Sequence, residues 1–484
     1  MLAELKKLGQ HTLIYGFGVL MARAIGFFMI PLYTHYLTPR DYGTLELIDL
    51  TGYILGYLMG LGLDQSVVRY FYMYDDPKDR ATVVSTAAWF NLLWSALLVA
   101  ILVPLTQPLS VAIFGSRSYA PLLMLSWASL FVGSIVGLQR SVLRAQLRSL
   151  PFMILSLANT LVAVLLNIYF VAVAHIGVRG IIYSGIISSL LVGIYLWIRI
   201  VPQVGLRFDP SKLGPMLRFG LPFVPGGIFA FVLNWSDRYF LRLYSSMEAV
   251  GLYGLGYKMG MIVAMLVSVP FSLIWNAYIF ELEKREHARE TYARVATYFI
   301  FALIAVALGI SVFSRELVMV MADRSYWGAA QVIPVITSAM IFMCSDNVFQ
   351  VGLLIRGRTG FLSIAKGVAA AFNVVLNVLL IPKYGAMGAA WSTSLSFLLY
   401  ATGIYLASQR VYPIPFEGSR LVKLGVAAVL VYVPASLLRL ESVGLAVLVK
   451  AGILLLYPVL LIVMGFLRPE EWRFLKRRLS ANPG

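Results

Sequence analysis

The stretch LLWSALLVAIL at residues 92–102 contains no charged side chain, and it lies inside a longer uncharged segment, residues 84–106. A helix of about 20 apolar residues is long enough to cross the hydrocarbon core of a bilayer. A transmembrane β-strand would need only about 10 residues and would alternate apolar with polar side chains. The segment therefore predicts a membrane-spanning helix.

Apolar segments of this kind recur along the whole chain of 484 residues. Hydrophobic residues make up 60% of it and charged residues 13%, and the mean hydropathy is +0.83, which excludes an ordinary soluble protein. Charged residues, proline and glycine divide the chain into fourteen predicted spans. In chain order, spans 1 to 14 are residues 12–35, 42–63, 84–106, 119–138, 151–174, 180–200, 216–241, 249–274, 295–314, 329–354, 361–382, 386–408, 421–438 and 443–467. The predicted fold class is an all-α polytopic membrane protein.

Several classes of function are disfavoured by what the sequence lacks. The one cysteine, Cys344, lies in an apolar segment and the four histidines are scattered, so we expect no disulfide framework and no metal site. No Walker A motif or glycine-rich nucleotide loop occurs. A net charge of +17 can indicate nucleic-acid binding, but the sequence contains no soluble basic module, so nucleic acid is not an expected partner. We expect no catalytic residues, no enzyme activity and no cofactor other than a coupling H⁺ or Na⁺.

Basic residues predict the orientation in the membrane. With the amino terminus inside, 26 of the 39 Lys and Arg residues fall in inner segments and nine in outer segments. Cytoplasmic loops collect positive charge. We therefore expect both termini in the cytoplasm.

The two halves of the chain contain a repeat. Arg148-Ser149 followed by Asn167 recurs as Arg358-Thr359 followed by Asn377 at an offset of 210, and Gly43 and Gly52 match Gly251 and Gly260 at an offset of 208. Six spans separate the copies, so both have the same orientation and an axis along the membrane normal should relate them. The predicted domains are an N-lobe at 1–210, a C-lobe at 211–412, and two further helices with a basic cytoplasmic tail at 413–484.

Ionisable residues inside the predicted spans are the strongest indication of function, because each costs about 2.5–3.5 kcal/mol at the centre of a membrane helix. The candidate substrate-binding cations are Arg23, Lys258 and Arg238, and the candidate coupling or gating acids are Glu46, Asp49, Asp237 and Asp346. The competing interpretation is that these charges form static salt bridges between helices. Lys366 and Lys450 are expected to reach the interface, and Asn167, Asn373 and Asn377 to hydrogen-bond between helices.

The spacing of these charges suggests how they act together. Glu46 and Asp49 lie three residues apart on one face of span 2. At the 208-residue offset Lys258 aligns with Leu50, next to Asp49, so opposite charges are expected at equal depth on the paired lobes. Arg23 is near the middle of span 1.

Prolines and glycines predict breaks in corresponding spans. Span 7 contains GLPFVPGG at residues 220–227, whose two prolines remove backbone donors, and span 1 contains Gly26 and Pro31. Gly52, Gly56 and Gly60 on span 2, with Gly256 and Gly260 on span 8, are expected to allow close helix packing.

Two short motifs carry a resemblance to a known family. LTPRDYG at residues 37–43 resembles the loop between the first two helices of the polysaccharide transporter family, the O-antigen flippases and their relatives in the multidrug/oligosaccharidyl-lipid/polysaccharide exporter superfamily. The signature of helices 7 and 8 in that family is similar to Phe219-Gly220-Leu221-Pro222, Asn234, Asp237-Arg238-Tyr239 and Gly251-Leu252-Tyr253.

The resemblance implies two helical lobes around a central cavity and transport by alternating access. It implies a polyprenyl-pyrophosphate-linked oligosaccharide as substrate, moved from the inner to the outer leaflet of the bacterial cytoplasmic membrane, with glycan polymerase or assembly proteins as partners. The alternatives are a drug or cation antiporter of the same superfamily and a membrane glycosyltransferase or polymerase, although the predicted outer loops are short for an enzyme.

Overall fold

The computed structural model describes Met21, residues 24–438, residues 442–468 and Glu471, and the regular elements within these residues are all helices. In chain order, α1 to α20 are Ile30–Tyr36, Pro39–Gly60, Leu63–Phe71, Pro77–Phe114, Ala120–Ala145, Ser149–Asn167, Gly177–Val204, Pro210–Gly220, Phe223–Trp235, Asp237–Tyr244, Met247–Gly260, Val269–Leu282, Ala288–Val312, Ser314–Met321, Ile333–Cys344, Asp346–Phe349, Val351–Ile355, Gly360–Val411, Gly418–Leu437 and Val443–Val463. The all-α prediction is confirmed.

Each of the predicted spans 2 to 14 is helical, and some of them are divided between two or three consecutive helices. Within the described residues, eleven helical segments are long and apolar enough to cross a membrane, and the pair α2 and α3, bent by 40°, forms a twelfth. The 52-residue α18 contains predicted spans 11 and 12, which meet at Gly385, where the backbone has φ +53° and ψ −130°. The first part of span 1, residues 12–20, and residues 22 and 23, including Arg23, lie outside the described residues.

The LTPRDYG motif is the start of α2. Thr38 is the N-cap: its hydroxyl accepts a hydrogen bond from the Asp41 backbone N–H at 3.2 Å, and the Asp41 carboxylate accepts one from the Thr38 backbone N–H at 3.1 Å. Pro39 follows at the first helical position, where its missing N–H costs nothing. The motif is therefore a capping box that fixes where the helix begins.

The predicted break in span 7 is confirmed. α8 ends at Gly220, and α9 begins at Phe223 after a turn at Leu221 and Pro222. The backbone at Gly220 packs against the backbone at Leu61 and Gly62, leaving no room for a side chain. In span 1 the helix is likewise interrupted, at Met29, two residues before Pro31.

The described chain forms two compact units. One comprises residues 1–255, 321–326 and 370–392, and the other residues 256–320, 327–369 and 393–484. In the first, the core between α3, α4, α5, α7 and α8 consists of apolar side chains such as Leu63, Val83, Val142, Leu196 and Met216. The lobe boundaries at residues 210 and 412 remain predictions.

In the second unit, α20 is attached by a buried ion pair. The Lys450 ammonium binds both carboxylate oxygens of Glu316 on α14, at 2.7 and 2.9 Å, and both residues are less than a tenth exposed. The expectation that Lys450 extends to the interface is wrong, because a carboxylate within reach satisfies the ammonium inside the protein.

A second charge cluster joins the start of α19 to the chain that follows α20. Arg420 binds Glu417 at 2.8 Å and Glu471 at 3.1 Å, and Arg468 contacts Glu417. Burial acts to raise the pKa of Glu417, but a hydrogen bond with Thr297 and the two arginines outweigh it and hold that pKa below its usual value. The carboxylate therefore stays ionised and keeps both arginines in place.

Candidate functional site

Helices α2 and α11 cross at Gly43 and Gly251, near the start of each helix. A Cβ atom at Gly43 would lie against the carbonyl oxygen of Met247, and a Cβ atom at Gly251 would lie against that of Pro39. Backbones come this close only where neither residue has a side chain. The crossing therefore depends on glycine at both positions, the first pair of the sequence repeat.

The other glycines of α2 and α11 differ in how closely their surroundings pack against them. On α2, nothing lies within 4 Å of a Cβ built at Gly56 or Gly60, and one at Gly52 meets only a leucine side chain at 3.2 Å. The prediction of close packing is therefore wrong at Gly56 and Gly60, whereas Gly52 packs closely against Leu130. On α11 the prediction is confirmed, because a Cβ at Gly256 would lie 2.9 Å from the Ala329 carbonyl oxygen.

The two acids of α2 have different surroundings. Glu46 is 7% exposed, and its side chain lies over the backbone of Gly254, where an added Cβ would be 2.8 Å from Glu46 Cγ. Asp49, one turn later, is exposed. The carboxylates are neighbours along the helix, but they do not share one environment, because only Glu46 faces the glycine of α11.

The Asp237-Arg238-Tyr239 motif at the start of α10 ties three parts of the first unit together. Asp237 and Arg238 form an ion pair of 2.7 Å in which both side chains are 2% exposed. Asp237 also accepts a hydrogen bond from the Tyr253 hydroxyl of α11, and the Tyr239 hydroxyl lies 2.9 Å from that of Thr51 on α2. The motif thus links α10 to both crossing helices.

The polar cluster extends from α10 to α18 through a chain of hydrogen bonds. Ser236 donates to Asn373 Oδ1 at 3.2 Å, and Asn377 donates to the same oxygen at 2.9 Å. Both asparagines are fully buried. Within the described part of the chain, Asn373 Nδ2 and Asn377 Oδ1 have no hydrogen-bond partner, so this cluster has polar capacity for a water molecule or an ion.

Asp346 occupies a break in the second unit, within predicted span 10. α15 ends at Cys344 and α16 begins at Asp346. The next residue, Asn347, donates to Ser268 at 3.1 Å and to the Cys344 carbonyl oxygen at 2.9 Å. The Asp346 carboxylate interacts with the Lys366 ammonium and with the Tyr400 hydroxyl. This acid therefore lies among polar groups at a point where the helix is interrupted.

The candidate residues are thus distributed over two groups. Glu46, Asp49, Asp237 and Arg238 belong to the first unit, and Asp346 and the half-buried Lys258 belong to the second. Arg23 lies outside the described residues. The roles of all seven remain predictions. Among the described residues, no group of three or more His, Cys, Asp or Glu side chains could hold a metal ion.

The sequence alone did not identify the partner of Asp237 or that of its neighbour Ser236. Tyr253, a residue of the family motif, donates a hydrogen bond to Asp237. The prediction that Asn373 hydrogen-bonds between helices is confirmed, because its Oδ1 accepts from Ser236, but nothing in the sequence indicated Ser236 as the partner. The four-residue spacing of Asn373 and Asn377, on one face of α18, was the available signal.

A family model described as "Polysaccharide biosynthesis protein" matches residues 8–283, more than half of the chain. The chain belongs to this family. It is a multi-pass membrane protein of the flippase and exporter superfamily that includes the polysaccharide transporters, as the two sequence motifs predicted.

Two relatives from archaea are similar over different lengths. An uncharacterised membrane protein of Methanocaldococcus jannaschii is 21% identical over 422 residues, covering 81% of this chain and 82% of its own. A probable low-salt glycan biosynthesis flippase of Haloferax volcanii is 23% identical over 176 residues, covering 36% of this chain and 37% of its own.

Solved structures of two classes of transporter have the same fold as this protein. The lipid II flippase MurJ in an inward closed conformation superposes with a TM-score of 0.76 at 14% identity, covering 93% of this chain and 98% of its own. An inward-facing multidrug resistance transporter of the MATE family gives 0.64 at 15% identity, covering 80% and 94%. At these identities the likeness concerns the fold.

Proposed function

We propose that this protein is a flippase that moves a polyprenyl-pyrophosphate-linked oligosaccharide from the inner to the outer leaflet of the bacterial cytoplasmic membrane by alternating access, with both termini in the cytoplasm. The observation that carries the proposal is the family match over residues 8–283. The relative from Haloferax volcanii, a probable glycan biosynthesis flippase, supports the same class of substrate.

The chemistry of the substrate explains why cations inside the spans would be needed. A pyrophosphate crossing a layer of low dielectric constant is stable there only next to positive charge. Arg23 and Lys258 are the proposed contacts for it. Arg238 is a proposed third contact, and it would have to exchange its present partner, Asp237, for the phosphate.

Transport in proteoliposomes tests the proposal. We expect the purified protein to move a labelled lipid-linked sugar across the bilayer, and drug cations not to compete. Lys258→Ala should slow this movement about 10- to 100-fold, the effect of losing one hydrogen bond to a charged group. Lys284→Ala is the control, because Lys284 is exposed and lies between spans.

Competition by drug cations would favour the alternative, an antiporter of the same superfamily, whose fold this chain shares at a TM-score of 0.64. Equal transport rates for the Lys258 and Lys284 variants would remove Lys258 from the proposed site.

Coupling to an H⁺ or Na⁺ gradient is a second part of the proposal, carried by Glu46, Asp49, Asp237 and Asp346. Glu46 is buried and Asp49 exposed on the same helix, so a cation arriving from solvent would meet Asp49 first. In this proposal Lys258 pairs with Glu46 and Asp49 while they are empty. Cation binding to these two acids would release Lys258 for the pyrophosphate, so that one exchange of partners links the ion to the substrate.

We expect Asp49→Asn to abolish the response of transport to imposed pH and Na⁺ gradients. The measurement is the flipping rate in liposomes with each gradient applied in turn. Asp75→Asn, in an exposed segment before α4, is the matched control. A wild-type response to both gradients in the Asp49 variant would contradict this part of the proposal.

A further inference from the structure

An open cleft lies between helices α3 and α8 of the first unit, at the side of the membrane that the basic residues assign to the cytoplasm. Its volume is about 620 Å³, and its lining includes Tyr70, Pro215, Arg218 and Phe219. Pockets of roughly 300–1,000 Å³ accommodate small-molecule ligands. None of these residues belongs to the polar clusters described above.

The two walls of the cleft are fastened to each other. Ser66 donates to the Met216 carbonyl oxygen at 2.8 Å, and the Tyr70 hydroxyl donates to the Pro215 carbonyl oxygen at 3.1 Å. Because both bonds join α3 to α8, the cleft keeps its shape without a ligand. A ligand entering it would not have to order the walls.

Two arginines give the cleft a positive charge. The Arg69 guanidinium lies over the Phe219 ring, 4.3 Å from its centroid, and Arg218 is in the lining. A guanidinium stacked on a ring still presents its N–H groups in its own plane, the geometry that binds phosphate. Among the described residues, neither arginine is in an ion pair.

Two carboxylates on α3 and α4 are paired with other cations. Asp79 accepts a hydrogen bond from Lys212 at 2.7 Å, and Asp64 lies 3.6 Å from Arg144. These acids therefore do not neutralise Arg69 and Arg218. The charge of the two arginines remains available to an anion.

Apolar side chains next to the cleft face outward. Met73 after α3 and Phe208 before α8 are 59% and 47% exposed, and Leu221 and Phe223, after α8, are 47% and 50% exposed. A short helix with apolar and aromatic side chains beside positive charge is typical of a segment lying in the membrane interface. The cleft therefore opens where lipid headgroups would be.

We propose that this cleft binds the headgroup of a lipid pyrophosphate in the inner leaflet, with one phosphoryl group on Arg69, the other on Arg218, and the adjoining sugar beside Tyr70. The inference rests on the proposed function for the identity of the lipid. Two arginines match the two phosphoryl groups of a pyrophosphate, whereas a phospholipid phosphodiester offers one. The cleft is then a docking site at which the substrate is captured before it enters the transport path.

Binding to the full-length protein in phosphatidylcholine nanodiscs tests this site. The probe is a fluorescent short-chain prenyl-pyrophosphate-linked hexose. We expect its Kd to rise about 10-fold or more in Arg218→Gln and further in the double variant Arg69→Gln/Arg218→Gln, because each substitution removes charge-assisted hydrogen bonds. Arg199→Gln, whose exposed guanidinium lies over its own neighbour Tyr195, should leave the Kd unchanged.

Competitors identify the source of the phosphate. Unlabelled lipid pyrophosphate should displace the probe, and neither inorganic pyrophosphate at equal concentration nor nanodiscs containing phosphatidylglycerol should do so. Displacement by phosphatidylglycerol would show a general anionic lipid site, and equal displacement by inorganic pyrophosphate would show a site for the free anion. Either result overturns the proposal, as would an unchanged Kd in Arg218→Gln.

Because this assay measures binding alone, its outcome is separate from that of the transport assay. Weakened binding in the arginine variants with no flipping by the wild-type protein would keep the cleft and reject the proposed function. Flipping by the wild-type protein with unchanged binding in those variants would support the proposed function and reject the cleft as a docking site.

Discussion

Glu316→Gln is expected to destabilise the protein by about 3–5 kcal/mol, because it leaves the Lys450 ammonium buried without a counter-charge. The ammonium lies at 2.7 and 2.9 Å from the two oxygens of Glu316, and both residues are less than a tenth exposed. A single amide oxygen cannot replace a carboxylate here. The loss should free α20 from α14 and lower the melting temperature.

The double variant Glu316→Leu/Lys450→Met should recover most of this loss. Replacing both members of a buried pair by apolar residues is often neutral. Thermal unfolding of purified variants in nanodiscs measures both effects. Glu281→Gln is the control, since the Glu281–Arg285 pair is more than half exposed and should cost less than about 1 kcal/mol. A Glu316 variant as stable as the control would mean that the pair does not hold α20.

Gly251→Ala is expected to destabilise the crossing of α2 and α11 by about 1–3 kcal/mol, the usual cost of overpacking. The added methyl group would lie against the Pro39 carbonyl oxygen. Since this obstacle is backbone, no side-chain rotation can remove it. Gly43→Ala should have a similar effect through the Met247 carbonyl oxygen, and both variants should flip the labelled lipid more slowly than wild type.

Gly56→Ala provides a control of opposite sign. Gly56 is in the middle of α2, with nothing within 4 Å of the added atom. The substitution should therefore stabilise the protein by about 0.5–1 kcal/mol, because alanine has the higher helix propensity. Unfolding and flipping are measured on all three variants. If Gly43→Ala, Gly251→Ala and Gly56→Ala all shifted stability in the same direction, close packing at the crossing would not explain why Gly43 and Gly251 are glycines.

Much of the fold could be predicted because it depends on local sequence. Uncharged segments such as residues 84–106 must cross the membrane as helices, and Pro222 after Gly220 must interrupt one. The start of α2 also depends on local sequence, since the capping box of Thr38 and Asp41 spans only four residues.

The partners of buried charges could not be predicted in this way. Glu316 and Lys450 are 134 residues apart, and nothing in either segment indicates the other. The same holds for Asn373, 137 residues from its partner Ser236. Helical periodicity also placed Glu46 and Asp49 on one face. Their burial differs because Gly254, on a helix that is distant in sequence, makes room for the Glu46 side chain only.

The crossing at Gly43 and Gly251 shows an arrangement that one chain can form and a dimer of identical chains cannot. At the 208-residue offset, Gly43 corresponds to Gly251 and Pro39 to Met247, so the contact is unchanged when the two helices are exchanged, as in a two-fold symmetric dimer. At the same offset Glu46 corresponds to Gly254, the residue that it covers. Two identical subunits would bring two glutamates or two glycines to that point. A single chain, whose halves vary independently, can hold one carboxylate at the crossing of two helices that correspond in the sequence repeat.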